Sequence, residues 1–325
     1  MIRTEVLIVG GGPAGAACAW ALRRQGVPCL VLERATFPRV KLCAGWITPD
    51  ALEAIDLDPN AYPHGLTRLE RLRVSVGGLR LRLRSRTMAI RRVEFDDFLL
   101  KRAGVPVHQH HARSITQRDD GYAVDGEFWG RRLVGAGGTQ CPVARTLFAD
   151  ANPRPAGSLI VTQEQEFAYP IGDGERRSMC HLWFFEHGLP GYAWYVPKAG
   201  GYVNVGVGGS AAKLKARGDR IQRHWDCVVA ELDRLGLVRD FAYAPKGHAY
   251  YLRERGRTIR VGNAFVAGDA AGLATMDMGE GIATAIQSGV RVAEGIATGT
   301  EVSYEDLRTL SQPAPIGYLL AAAMR

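Results

Sequence analysis

The chain has 325 residues, 46% of them hydrophobic, with a formal net charge of +8. That size can bury a large core and suits a two-lobed globular protein. No apolar run approaches the roughly 20 residues that cross a bilayer, and the chain enters a strand without a charged leader, so the expected place is the cytoplasm, with peripheral membrane contact left open.

The first forty residues hold the strongest signal. An apolar strand runs into Gly10-Gly11-Gly12-Pro13-Ala14-Gly15, a helical stretch follows, and a second strand, Cys29 to Leu32, ends at Glu33-Arg34. This is the pattern of a dinucleotide-binding βαβ unit. Gly10 permits the tight turn, Gly12 lets backbone approach a pyrophosphate, and Gly15 lets the helix pack close to the sheet. Phosphate would sit on the helix N-terminus, where free amide N–H groups and the dipole favour an anion. Glu33, 18 residues past Gly15, is placed to accept hydrogen bonds from an adenosine ribose.

Between Arg68 and Arg92, arginines 80, 82, 84 and 86 alternate with leucines 79, 81 and 83. A period of two means a strand, expected to bury its leucines and turn its guanidinium groups outward. The arginine face is a solvated surface, or it attracts an anionic membrane, a phosphorylated substrate or an acidic electron donor. No nucleic-acid motif accompanies the charge. His108, His110 and His111 lack the cysteine or acidic partners of a zinc site, so no metal is expected. The six cysteines are scattered, without a CxxC pair, and are expected to be reduced.

Val105 to Val124 reads as strands and turns, and Arg131 to Gly138 as an apolar strand ending in glycines. Ala156 to Gly209 alternates with many aromatics, which predicts antiparallel strands. Ser210 to Leu235 reads as one helix. A further strand enters Gly268-Asp269-Ala270-Ala271-Gly272, and Met278-Gly279-Glu280-Gly281-Ile282 precedes a helix over Ala283 to Ala297. Three strand-to-glycine junctions so far apart call for one shared ligand or a shared packing motif.

The glycine motif with Glu33-Arg34, Arg92-x-x-Phe95-Asp96-x-x-Leu99, Ala136-Gly137-Gly138-x-x-Cys141 and Gly268 to Gly272 resemble, in order and spacing, the FAD-dependent, p-hydroxybenzoate hydroxylase-like superfamily. Within it, Lys41-Leu42-Cys43-Ala44-Gly45, Pro190 to Lys198 and Asn204 to Gly208 look most like the geranylgeranyl reductase branch. The chain departs from the pattern at Val196, where Phe is usual, at Gly137, where Asp is usual, and at Cys141, where Ser is usual.

The resemblance implies an α/β fold: an FAD-binding Rossmann-like domain with an inserted antiparallel-sheet substrate domain. The expected boundaries are 1–65, 91–155 and 255–310 for the discontinuous FAD domain, 66–90 and 156–254 for the substrate domain, and 311–325 for a C-terminal tail. It implies FAD held by Gly10, Gly12, Pro13, Ala14, Gly15, Glu33, Arg34, Cys43, Ala44, Gly45, Arg92, Gly138, Gly268, Asp269, Gly279, Gly281 and Ile282. The helix after Gly279 would point at the flavin N1–C2=O edge and stabilise the reduced cofactor. Cys43 and Tyr192 are the catalytic candidates; Tyr192, Trp194 and Pro197 the substrate contacts. The activity so implied is reduction of carbon–carbon double bonds of a prenyl-type substrate. The alternatives are an FAD-dependent monooxygenase of an aromatic or polyketide-like molecule, and a non-catalytic flavoprotein that binds lipid or a partner. With no second nucleotide unit in the sequence, electrons would come from an external donor, NAD(P)H or a ferredoxin or flavodoxin.

Overall fold

A computed structural model describes residues 1–172 and 174–324. In chain order the elements that matter are β1 (Ile2–Val9), α1 (Pro13–Arg24), β2 (Cys29–Glu33), the hairpin of β3 (Arg71–Val76) and β4 (Leu79–Arg84), α2 (Arg92–Ala103) and β5 (Phe128–Gly135). They continue with β6 (Leu159–Ala168), β7 (Met179–Phe184), β8 (Gly191–Lys198), β9 (Tyr202–Ser210), α3 (Ala211–Ala216), α4 (Ile221–Arg234), β10 (Lys246–Tyr251), β11 (Ala264–Val266), α5 (Ile282–Thr298) and α6 (Ala314–Met324).

The first sheet has a parallel centre in the order β11, β5, β1, β2, followed by the short strand Val107–Gln109. Val6 to Val9 and Cys29 to Glu33 are buried on both faces, as a covered parallel sheet requires. Val9 lies opposite Gly135, and Gly135 opposite Val266. The three strand ends are therefore level, and the three glycine junctions emerge side by side.

Helix α1 starts with Pro13 at its first turn and is almost entirely buried through small residues. A Cβ on Gly289 of α5 would run into the Ala14 backbone, so α1 and α5 cross at a distance only glycine allows. Gly15 similarly abuts the Gly10 carbonyl.

The second sheet runs β10, β6, β9, β8, β7, β3, β4 and is mostly antiparallel, with β3 and β7 parallel. One face packs on α4, with Trp225, Val228 and Leu232 against Ala193, Tyr195, Val203, Val205 and Val207. The other looks toward the first sheet and carries Leu182, Phe184, Tyr192, Trp194 and Val196. A small sheet of Trp46–Ile47, Met88–Ala89 and Thr67–Arg68 lies at the junction.

Two expectations are corrected here. The stretch from Ser210 to Leu235 is two helices, because Gly218 adopts φ +62° between α3 and α4, and Ser210 caps the first by accepting from the Lys213 N–H. The leucines of β4 are not buried: Leu79, Leu81 and Leu83 are 62%, 42% and 41% exposed. The period-two reading is right about the strand, but β4 is the sheet edge, and among the described residues its apolar side is only partly covered. The C-terminal stretch, expected as a tail, contains helix α6. Among the described residues no helix is long and apolar enough to cross a membrane, no group of side chains could hold a metal ion, and the six cysteines are free.

Candidate functional site

A continuous cavity of about 1130 Å³ runs from the ends of β1, β5 and β11 to the inner face of the second sheet. Of the residues expected to bind a dinucleotide, Gly10, Gly12, Pro13, Ala14, Glu33, Arg34, Cys43, Ala44, Arg92, Gly138, Gly268, Asp269, Gly279, Gly281 and Ile282 line it. Gly15 and Gly45 do not. Gly15 supports the loop from beneath, and Gly45, at φ +70°, lies against the Ile90 backbone and accepts the Ile90 N–H through its carbonyl at 2.8 Å.

At one end, Gly10 adopts φ +109°, and a Cβ there would meet the Ala136 backbone. No side chain caps α1, so its first-turn N–H groups are free toward the cavity. Arg39 reaches across this loop, its guanidinium near the Cβ direction of Gly12, and is held by Asp96 at 3.2 Å. The Glu33 carboxylate accepts from the Gly11 N–H at 2.7 Å and the Ala35 N–H at 2.8 Å. Those two bonds fix its direction and leave lone pairs for ribose hydroxyls.

Arg92 is buried and bonds Asp96 through two N–H groups, at 2.7 and 2.8 Å. Burial alone would lower its pKa; the paired carboxylate overcomes that and raises it, with the Cys43 thiol also in hydrogen-bond contact. Arg92 thus anchors the Cys43 loop as well as the cavity wall. Helix α5 likewise has no side-chain cap; Gly281 and Ile282 at its start face the cavity, with Asp269 beside Gly281. Gly279, at φ +64°, sits where a Cβ would strike the Tyr250 ring.

The far end is walled by aromatic and apolar groups: Trp46, Tyr192, Trp194, Tyr250 and Met278. Tyr192 donates its hydroxyl hydrogen to the Met278 carbonyl at 2.6 Å, and burial lifts its pKa well above the usual value. Pro197 is not part of this wall. Strand alternation turns it to the α4 side with Ala193 and Tyr195, whereas Tyr192, Trp194 and Val196 share the inner face.

Sequence reading missed several groups here. Lys41 donates to His248 Nε2 at 2.8 Å, and His248, whose pKa burial pushes down to about 4, is neutral. Glu164 of β6 is 2% exposed, lines the cavity, and its Oε2 has no hydrogen-bond partner. Burial raises its pKa to about 7, although Lys198, Lys41 and Arg92 pull the other way. Lys198 is itself committed to Glu166 at 2.7 Å. The available signal was the alternation Thr162, Glu164, Glu166 on β6, which by itself also fits a solvated face.

The level glycine junctions, the backbone cradle at Gly10, two uncapped helix starts and Glu33 fit FAD in this cavity. These features define an FAD-binding flavoprotein. A model of the FAD binding domain matches residues 3–58. A menaquinone reductase from Mycobacterium tuberculosis is 30% identical over 319 residues, covering 89% of this chain and 76% of the relative. Digeranylgeranylglycerophospholipid reductase 1 from Methanopyrus kandleri is 30% identical over 221 residues, covering 63% and 57%. Among solved structures, a geranylgeranyl bacteriochlorophyll reductase-like protein from Thermoplasma acidophilum has TM-score 0.78 at 20% identity, covering 92% of this chain and 79% of that one. The flavin-dependent halogenase CmlS has TM-score 0.73 at 20% identity, covering 92% and 58%. The structural likenesses show the fold. The sequence relatives place the chain: it belongs to the geranylgeranyl reductase-like family of FAD-dependent oxidoreductases, within the hydroxylase-like superfamily.

Proposed function

We propose that this protein reduces carbon–carbon double bonds of a prenyl-type substrate held at the aromatic end of the cavity. The observation that carries the reading is the junction of the FAD groove with a pocket walled by Trp46, Tyr192, Trp194 and Met278, lined by two carboxyl groups, Glu164 and Glu280, that each present an unpartnered oxygen. The two reductase relatives, a menaquinone reductase and a digeranylgeranylglycerophospholipid reductase, support a substrate of this class. FAD, when bound, supplies the hydride, delivered from N5 of its reduced form.

The chain's own residues do the rest. Trp194 and Tyr192 exclude water and orient an apolar chain. Cys43, beside Arg92, contacts the alkene from the loop. The second carbon needs a proton, and Glu164 is better suited than Tyr192 to give one: its pKa of about 7 leaves it partly protonated near neutrality, whereas the Tyr192 proton is tied to the Met278 carbonyl and held more firmly than in water. An external donor, NAD(P)H or a small redox protein, would supply the reducing equivalents before each turnover.

The test is anaerobic reduction of the flavoprotein followed by mixing with either a prenyl alkene or oxygenated buffer while the flavin spectrum is recorded. Fast reoxidation by the alkene and slow, featureless reoxidation by oxygen are expected. A C4a-hydroperoxide-type spectrum with oxygen would instead make the protein a monooxygenase, and no reaction with the alkene would remove the reductase reading.

A further inference from the structure

The exposed hairpin of β3 and β4 is two-faced. Leu72, Val74 and Val76 stand opposite Leu83, Leu81 and Leu79, and on the other side Arg71, Arg73 and Ser75 stand opposite Arg84, Arg82 and Arg80. The apolar side is continuous with the cluster under Leu182 and Phe184, to which Leu320 of α6 also belongs. Helix α6 contains no charged residue over Ala314–Met324, and it exposes Ile316, Tyr318 and Leu319, the last at 72%. Six large apolar side chains, on the hairpin and on α6, which share that cluster through Leu72 and Leu320, are thus open to solvent, an arrangement that marks an interaction surface.

Charge says what occupies it. Arg82, Arg84 and Arg86 are exposed and, among the described residues, form no ion pair, in a chain of net charge +8. Pairing β4 with a second copy edge to edge would set these arginine rows beside each other, which like-charge repulsion opposes. An anionic lipid surface satisfies both sides at once, leucines entering the acyl boundary and guanidinium groups meeting phosphates. The cavity rim lies where the chain leaves β4 and where it enters α6: Thr87, past the end of β4, and Ser311 and Gln312, just before α6, line the cavity.

We propose that the β3–β4 hairpin and α6 form a docking surface for an anionic lipid bilayer, which sets the aromatic end of the cavity against the membrane. The proposal stands whether or not the bound lipid is reduced.

The test is flotation of the FAD-loaded protein with phosphatidylcholine vesicles, alone or with phosphatidylglycerol, at low and high salt. Binding at least tenfold stronger to the anionic vesicles, and weakened by salt, is expected. Replacing Leu79, Leu81 and Leu83 together with Ser, and separately Arg82, Arg84 and Arg86 with Gln, should each reduce it tenfold or more. These side chains are exposed, and retained FAD absorbance and melting temperature would show that the variants fold. Equal binding to both vesicle types, or unchanged binding by both triple variants, would overturn the proposal. So would a lipid-free dimer that the leucine variant dissociates, since the occupant would then be a second copy.

Discussion

The Trp194 indole N–H donates to Asn204 Oδ1 at 2.6 Å, and Asn204 Nδ2 donates in turn to the Cys43 carbonyl at 3.3 Å. One buried amide therefore fixes both the aromatic wall, on β8, and the loop that carries the thiol. Replacing Asn204 with Ala leaves a buried indole N–H without its acceptor, at a cost of about 1–3 kcal/mol. Denaturant unfolding should show that loss, and substrate-driven flavin oxidation should slow about tenfold as Cys43 loses its register. An Asn204→Ala protein with wild-type stability would mean that the Trp194 N–H finds another partner.

Gly15→Ala should abolish FAD retention. Its Cβ would collide with the Gly10 carbonyl, and the glycine loop could relieve this only by moving off α1. The expected result is a purified protein without flavin absorbance and a fall of more than tenfold in FAD affinity by titration. Gly138→Ala is the contrasting case: its Cβ would meet nothing within 4 Å, so its effect comes only from the φ of +72° and should be smaller.

The nucleotide end was legible in the sequence because its constraints are local. Gly10, Gly12 and Glu33 lie where spacing alone predicts a tight turn and an acidic strand end, and Asp269, singled out only by the family resemblance, joins them on the cavity wall. The substrate end was less legible because it is built across strands. Tyr192 and Trp194 could be placed on one face by alternation, but that Thr162, Glu164 and His248 share that wall depends on β6 pairing with both β9 and β10. The same dependence misplaced the leucines of β4: a period-two pattern identifies a strand, and only sheet order tells whether a neighbour covers its apolar side. Pro197 was lost to parity, being one residue from the inner face.

Glu164 gives a pH signature. Its pKa rises from 4.5 in the unfolded chain to about 7 in the fold, chiefly through burial. Between those values the folded state binds more protons than the unfolded one, so stability falls as pH rises through this window. Glu164→Gln mimics the protonated acid and escapes the loss. The variant should gain relative to wild type between pH 5 and pH 8, by on the order of 3 kcal/mol. His248 works the other way, its depressed pKa of about 4 lowering stability as pH falls below 6.5, but it is common to both proteins and cancels in the difference. Parallel stability curves for the two proteins would show that Glu164 titrates normally.

The same group separates the candidate acids in catalysis. If Glu164 supplies the proton, the single-turnover rate of alkene reduction should decline above pH 7 in the wild type, and Glu164→Gln should lower it at least tenfold while FAD stays bound. Tyr192→Phe loses the bond to the Met278 carbonyl, about 1 kcal/mol, and loosens the turn into Gly279. That should weaken FAD binding a few-fold and leave the chemical step within about threefold of wild type. With the thiol orienting the alkene as proposed, Cys43→Ala should slow the same step without flattening its pH profile, because Glu164 still titrates. A Tyr192→Phe protein slower than Glu164→Gln, with the wild-type pH dependence intact, would return the proton to the tyrosine.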